Sequence, residues 1–179
     1  MNLNRISIMI LLFSLFTSIG FTQEKSKKEL RKEQKEKEKV EKEKQTEALI
    51  EAKSFMFIAK RALPSGARSI DLTGDNYFVK FESNLIESVL PFFGRAFSGV
   101  GYGNDNGMRF KGEPKNFKIK KGKKNYEIEA KVSDTNETYN LTLTVSFQGS
   151  ATLFITSNNR SSISYQGKLE PIKEAQEKK

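Results

Sequence analysis

The sequence predicts a mainly β protein: an antiparallel barrel of eight or nine strands, lipocalin-like topology among the options, or a closely related sandwich. An amphipathic helix and a charged helical spacer are expected before it. Three observations carry this reading. From Tyr77 to Leu169 apolar and polar residues alternate with a period of two, as strands with one buried and one wet face do. Glycine and asparagine fall between successive runs, where hairpin turns need them. Upstream of these runs the period is not two: a stretch of mixed charge gives way to apolar residues three and four apart.

The chain opens with an address. Arg5 precedes an apolar run from Ile6 to Phe16, small residues follow at Thr17, Ser18 and Gly20, and charge begins at Glu24. That order predicts a secretory signal over residues 1–22, cleaved after Thr22 or, as the alternative, after Gly20. The apolar core falls short of the roughly 20 residues a spanning helix needs. The expected address is the periplasm or cell envelope, with no transmembrane segment after cleavage.

Composition removes several chemistries. The 179 residues contain no cysteine, histidine or tryptophan, and 31 basic against 22 acidic residues leave a net charge of +9. Without cysteine there is no disulfide and no cysteine-linked acyl anchor; without histidine or cysteine, a Ser-His-Asp triad, a Cys-His pair and an ordinary structural zinc site are excluded. The expectation is no cofactor, no metal site and no catalytic residue.

Residues 23–47 read as a Lys/Glu-rich spacer, either helical or a disordered tail. Between Glu24 and Lys53 there are 11 Lys or Arg and nine Glu, with opposite charges at helical spacing in Lys32–Glu36, Glu33–Lys37, Glu38–Lys42 and Lys39–Glu43. Each such pair contributes only about 0.2–0.5 kcal/mol. At Ala48 the pattern turns amphipathic: Leu49, Ala52, Phe55, Met56, Ala59 and Leu63 share a helical face, and Pro64 with Gly66 ends it. A helix over 48–63 is therefore expected to dock on a β domain spanning 48–172, with 173–179 a tail. Strands are expected at 69–72, 76–83, 85–90, 108–113, 116–121, 124–134, 137–148, 151–157 and 161–169. Gly149-Ser150 is read as a two-residue hairpin turn, with Gly149 supplying the positive φ.

The run Leu90-Pro91-Phe92-Phe93-Gly94-Arg95-Ala96, then Tyr102-Gly103, Phe110-Lys111-Gly112, Asn125–Val132 and Gly149–Leu153 through Ser164–Gly167, resembles the family catalogued as domain of unknown function 4251. The similarity covers roughly 48–172. The resemblance implies an exported protein of Bacteroidota-type bacteria; the family has no assigned activity, so it implies no catalytic residue. Some members are lipid-anchored, and this chain departs from them in having no cysteine.

Three constellations remain. The glycine-rich stretch Gly94–Gly107 lacks the strand-to-helix setting and the Gly-Lys-Ser/Thr of a phosphate loop. Its aromatic content suggests a lid in which Phe92, Phe93, Arg95, Phe97 and Tyr102 line a ligand entrance, set against an ordinary mobile loop. Residues 109–124 read as a basic hairpin of net charge +7. Arg109, Lys111, Lys118, Lys120, Lys121, Lys123 and Lys124 would attract anionic lipid or polysaccharide, set against plain lysine protection of a strand edge. Nucleic acid is not expected, because no aromatic stacking platform accompanies the charge. Asp71 and Asp75 flank a turn, Glu127 and Glu129 share an outward face, and Asp105 lies in the glycine-rich stretch; none has partners for acid–base work that spacing can place. The reading is a non-enzymatic envelope module whose barrel binds a small apolar or amphipathic ligand. The alternative is a structural or protein-interaction module using spacer and hairpin, and third comes a carboxylate-based hydrolase acting on envelope polymers.

Overall fold

The structure is a computed structural model and describes residues 26–97, 107–134 and 137–172. The signal reading over 1–22, Tyr102, Asp105 and the tail 173–179 lie outside the described residues. The chain forms two compact units, residues 1–37 and 38–179. The charged spacer is helical: α1 spans Lys27–Glu51. Its start is a capping box, in which the Ser26 Oγ accepts from the Lys28 N–H and Glu29 reaches back to the Ser26 N–H at 3.0 Å.

Ten strands form one antiparallel sheet among the described residues. They are β1 (Phe55–Pro64), β2 (Ile70–Asp71), β3 (Phe78–Phe81), β4 (Ile86–Leu90), β5 (Met108–Gly112), β6 (Pro114–Lys121), β7 (Asn125–Ser133), β8 (Thr138–Ser146), β9 (Ser150–Ser157) and β10 (Ile163–Glu170). Nine build the wall in the order β5-β4-β3-β1-β10-β9-β8-β7-β6, and the short β2 pairs with β1 beside that path. The meander closes because β1 lies between β3 and β10, which sets the first and last strands edge to edge. At the other seam β5 and β6 share no ladder; only Glu113 separates them, with β5 held by β4 and β6 by β7. Gly112 there backs onto β7, close enough that an added Cβ would stand 3.0 Å from the Ser133 carbonyl oxygen. The result is a nearly closed nine-strand barrel.

The twofold alternation sorts residues as expected. Tyr126, Ile128, Ala130 and Val132 of β7, Tyr139, Leu141, Leu143 and Val145 of β8, and Ile163, Tyr165 and Leu169 of β10 are all buried. Phe55 and Phe81 stack inside with centroids 5.0 Å apart. Each such side chain, fully withdrawn from water, contributes about 1.5–3 kcal/mol.

Three expectations are corrected. Residues 48–63 are not one amphipathic helix: α1 stops at Glu51, Lys53 takes a left-handed φ of 49°, and Phe55–Pro64 is strand β1. Phe55, Phe57 and Ala59 point inward at period two, then the register slips between Ala59 and Arg61, and Ala62 and Pro64 point inward. That bulge puts one extra residue into the alternation, and the sum mimics helical spacing. The basic segment 109–124 is not a hairpin, because its two halves pair with different neighbours, β4 and β7, and Pro114 offers no N–H to a partner. The β8–β9 turn is a three-residue one, Phe147–Gly149; Gly149 has φ +85° as expected and its N–H closes onto the Ser146 carbonyl, but Ser150 already belongs to β9.

From residue 38 onward α1 covers the barrel end formed by the β6–β7 and β8–β9 turns. Thr46 and Ile50 are buried there, Glu43 accepts from the Gln148 side-chain amide at 3.1 Å, and Glu47 meets both Lys121 and the Tyr126 hydroxyl. The functional candidates gather at the opposite end.

Candidate functional site

Away from the helix, the β9–β10 turn carries Arg160 and the start of β8 is preceded by Glu137. The turn is held locally: the Asn159 and Arg160 N–H groups both donate to Ser157 Oγ, and Asn158 accepts from the Thr138 N–H at 2.9 Å. This geometry aims Arg160 inward. Its Nε lies 3.2 Å from Glu137 Oε2, its NH1 donates to the Gly107 carbonyl at 2.9 Å, and its guanidinium sits 5.3 Å from the Phe92 ring centre. The two charged side chains are only 9% and 10% exposed. Tyr139, stacked on Phe110 with centroids 4.1 Å apart, donates its hydroxyl to the same Glu137 Oε2 at 2.8 Å. Burial, and then the hydrogen bond to Glu137, push the Tyr139 phenol well above the ordinary tyrosine value, so it stays a donor. Glu137 Oε1 is sealed from solvent and has no hydrogen-bond partner among the described residues.

The segment after β4 runs past this cluster. The Tyr165 hydroxyl donates to the Pro91 carbonyl, and burial holds that phenol high as well. Arg95 is tied by its backbone: its N–H donates to Ser161 Oγ and its carbonyl accepts from the Ser161 N–H, while the Phe97 N–H donates to the Asn159 carbonyl. Of the expected entrance residues, Phe92 is half-buried under Arg160, Phe93 and Phe97 are exposed at 37% and 68%, and Arg95 is exposed. The strand-like bridge between Ala96 and Arg160 joins these residues to the turn that carries Arg160.

The basic set is divided. Lys111 pairs with Glu87 at 3.3 Å, Lys120 with Glu129 at 2.8 Å and Lys121 with Glu47. Lys118, Lys123 and Lys124 are exposed and have no carboxylate within ion-pair distance among the described residues; Arg109 lies exposed on β5. Asp71 accepts from the Thr73 N–H at 2.9 Å, and its hydrogen bonds to Thr73 hold its carboxyl below the usual range, so it caps the turn. No group of three or more acidic residues close enough to hold a metal occurs among the described residues.

Sequence reasoning missed Glu137 and Arg160 and placed Tyr139 only in the core. The signal was present: Arg160 is the sole basic residue between Lys131 and Lys168, and Glu137 the sole acidic one between Asp134 and Glu170. A lone charge of each sign inside a strongly alternating β region is the pattern a buried pair leaves.

Fold and site together define a small antiparallel barrel, capped by a helix at one end and carrying a buried ion pair at the other. The chain belongs to the family described as Domain of unknown function (DUF4251), which it matches over residues 19–169. It is similar in fold to a DUF4251 family protein from Bacteroides eggerthii DSM 20697, known from a crystal structure, with a TM-score of 0.57 and 20% identity over 73% of this chain and 87% of that one. Comparison with the curated proteins gives no match.

Proposed function

We propose that this chain is an exported, non-enzymatic envelope module that binds a small apolar or amphipathic ligand at the barrel end opposite the helix. The observation that carries the reading is the pair of exposed aromatics Phe93 and Phe97, on the segment that follows Phe92 and is hydrogen-bonded to the turn carrying the buried Arg160. Exposed aromatics next to a few convergent, desolvated polar groups are the usual makeup of a ligand site. Export rests on the signal-like residues 1–22. The test is native mass spectrometry on protein recovered under gentle conditions, followed by titration with medium-chain amphiphiles. Retention or saturable binding, weakened by Phe93→Ser with Phe97→Ser, supports the reading; no retained or titratable molecule refutes it.

A second reading, recruitment to an anionic lipid or polysaccharide surface, is favoured by Lys118, Lys123 and Lys124, which are exposed and outside ion-pair distance of any carboxylate among the described residues. Binding to phosphatidylglycerol vesicles that fades as salt rises, and is lost in Lys118→Glu with Lys123→Glu and Lys124→Glu, supports it. Binding insensitive to salt ends it.

A further inference from the structure

The outer wall of the barrel carries a groove of about 510 Å³ across β7, β8, β9 and β10. Asn125, Thr144, Ser146, Ser150, Thr152 and Gln166 line it. Their chain neighbours Tyr126, Leu143, Val145, Ala151 and Tyr165 are buried, so strand alternation turns these six polar side chains outward. The ladders set Thr144, Thr152 and Gln166 side by side, because Thr144 pairs with Thr152 and Thr152 with Gln166. At a strand spacing of about 4.8 Å, this row offers two hydroxyls and an amide over about 10 Å. Asn125 and Ser146 pair in the same way across β7 and β8. None of the six side chains hydrogen-bonds another protein group among the described residues, so their donors and acceptors are open to a ligand.

No carboxylate lines the groove, and one cation does: Lys124, exposed and beyond ion-pair distance of any carboxylate among the described residues. Glu127, in register with Thr144 and with Lys120, bounds the row on the β7 side. Two positions beyond Thr152, and so on the same face, Phe154 is 41% exposed between Thr142 and Ser164. These neighbours decide the ligand. An extended peptide adds at a free strand edge, and β7 to β10 are laddered on both sides. A lipid chain needs apolar walls, and these are hydroxyls and amides. A saccharide suits them: its hydroxyls both donate and accept, as Ser and Thr hydroxyls and Asn and Gln amides do, and the C–H face of a ring packs on an aromatic. One lysine matches one carboxylate.

We infer that the groove across β7–β10 is a saccharide site for an acidic oligosaccharide, in which Lys124 meets a carboxylate, the Thr144–Thr152–Gln166 row binds hydroxyls and Phe154 carries an adjoining ring. This rests on the anionic-surface reading above and deepens it: the partner is polysaccharide rather than lipid, and the groove selects it rather than lysine charge alone.

The test titrates trigalacturonate into isotope-labelled full-length protein at low salt and follows the backbone amides by NMR. Saturable shifts at Thr144, Thr152 and Gln166 as well as Lys124 are expected. The fully methyl-esterified trimer, which lacks the charge, binds about two- to fivefold more weakly, the worth of one exposed ion pair. Thr144→Val with Thr152→Val keeps the branched shape, removes two hydroxyls and weakens binding about tenfold or more. Should that variant fail to fold, the shift map of the native protein decides alone. Shifts confined to Lys118, Lys123 and Lys124 overturn the groove and leave the anionic-surface reading standing, as does binding to phosphatidylglycerol vesicles without saccharide binding. Equal affinity for the trimer and its ester overturns the acidic assignment. If neither trigalacturonate nor the vesicles bind, the anionic-surface reading itself falls, and this inference with it.

Discussion

Replacing Arg160 by Met tests the buried pair most directly. In the native barrel Arg160 Nε and Glu137 Oε2 lie 3.2 Å apart with both side chains about nine-tenths buried. Arg160→Met keeps the apolar stem over Phe92 but leaves the Glu137 carboxylate desolvated with only the Tyr139 hydroxyl for support. Breaking a buried pair from one side costs about 3–5 kcal/mol, because the remaining charge is uncompensated. Spread over a domain of this size, that loss lowers the melting temperature by about 10–20 °C. Removing both charges, in Arg160→Met with Glu137→Leu, takes the uncompensated charge away and leaves chiefly the Tyr139 hydroxyl without an acceptor, a loss of about 1–3 kcal/mol. The double variant is thus expected to be more stable than the single one. Urea unfolding of the native protein, both single variants and the double variant closes the cycle. If Arg160→Met costs less than about 1 kcal/mol, or the double variant is no more stable than the single, the pair is not desolvated as described.

Other positions give independent checks. Gly167→Ala would place a Cβ 1.9 Å from the Ile58 carbonyl oxygen, at the ladder between first and last strands. Neither backbone can yield cheaply, so a loss of about 2–3 kcal/mol or more in thermal unfolding is expected, and a neutral result would refute that close approach. Lys53→Gly relieves the left-handed φ of 49° that ends α1 and is expected to stabilise by about 0.5–1 kcal/mol in urea titrations. Hydrogen bonds from Lys121, then from Tyr126, hold Glu47 below its ordinary value, while the bond to Glu47 raises Lys121. A depressed carboxylate lends its stability above the unfolded value and loses it as pH falls through the folded one; a raised lysine lends it below the unfolded value and loses it as pH rises through the folded one. Protection of the amides of residues 43–51, taken relative to their intrinsic exchange rates, is therefore expected to be greatest between those limits and to fall in acid, and Glu47→Gln should flatten the acid limb. Unchanged protection in acid would remove this contact as the latch of the helix.

Most of the wall was legible from residue order, because a strand with one dry and one wet face writes its orientation directly into alternate positions. Tyr126 to Val132 and Tyr139 to Val145 needed no partner to be sorted correctly, and the left-handed Gly149 marked its turn. The Lys/Glu composition of the charged stretch suits a helix or a disordered tail equally, and in the structure Lys27–Glu51 is helical. Strand β1 was hidden because one bulged residue shifts the phase of its alternation, and only its ladders with β3 and β10 explain why that shift is tolerated. The break between β5 and β6 was equally invisible, since whether neighbouring strands pair depends on which other edges the closing barrel offers. Arg160 and Glu137 lie 23 residues apart on separate connections; local sequence carries their charges, and only closure of the barrel brings those charges together out of water.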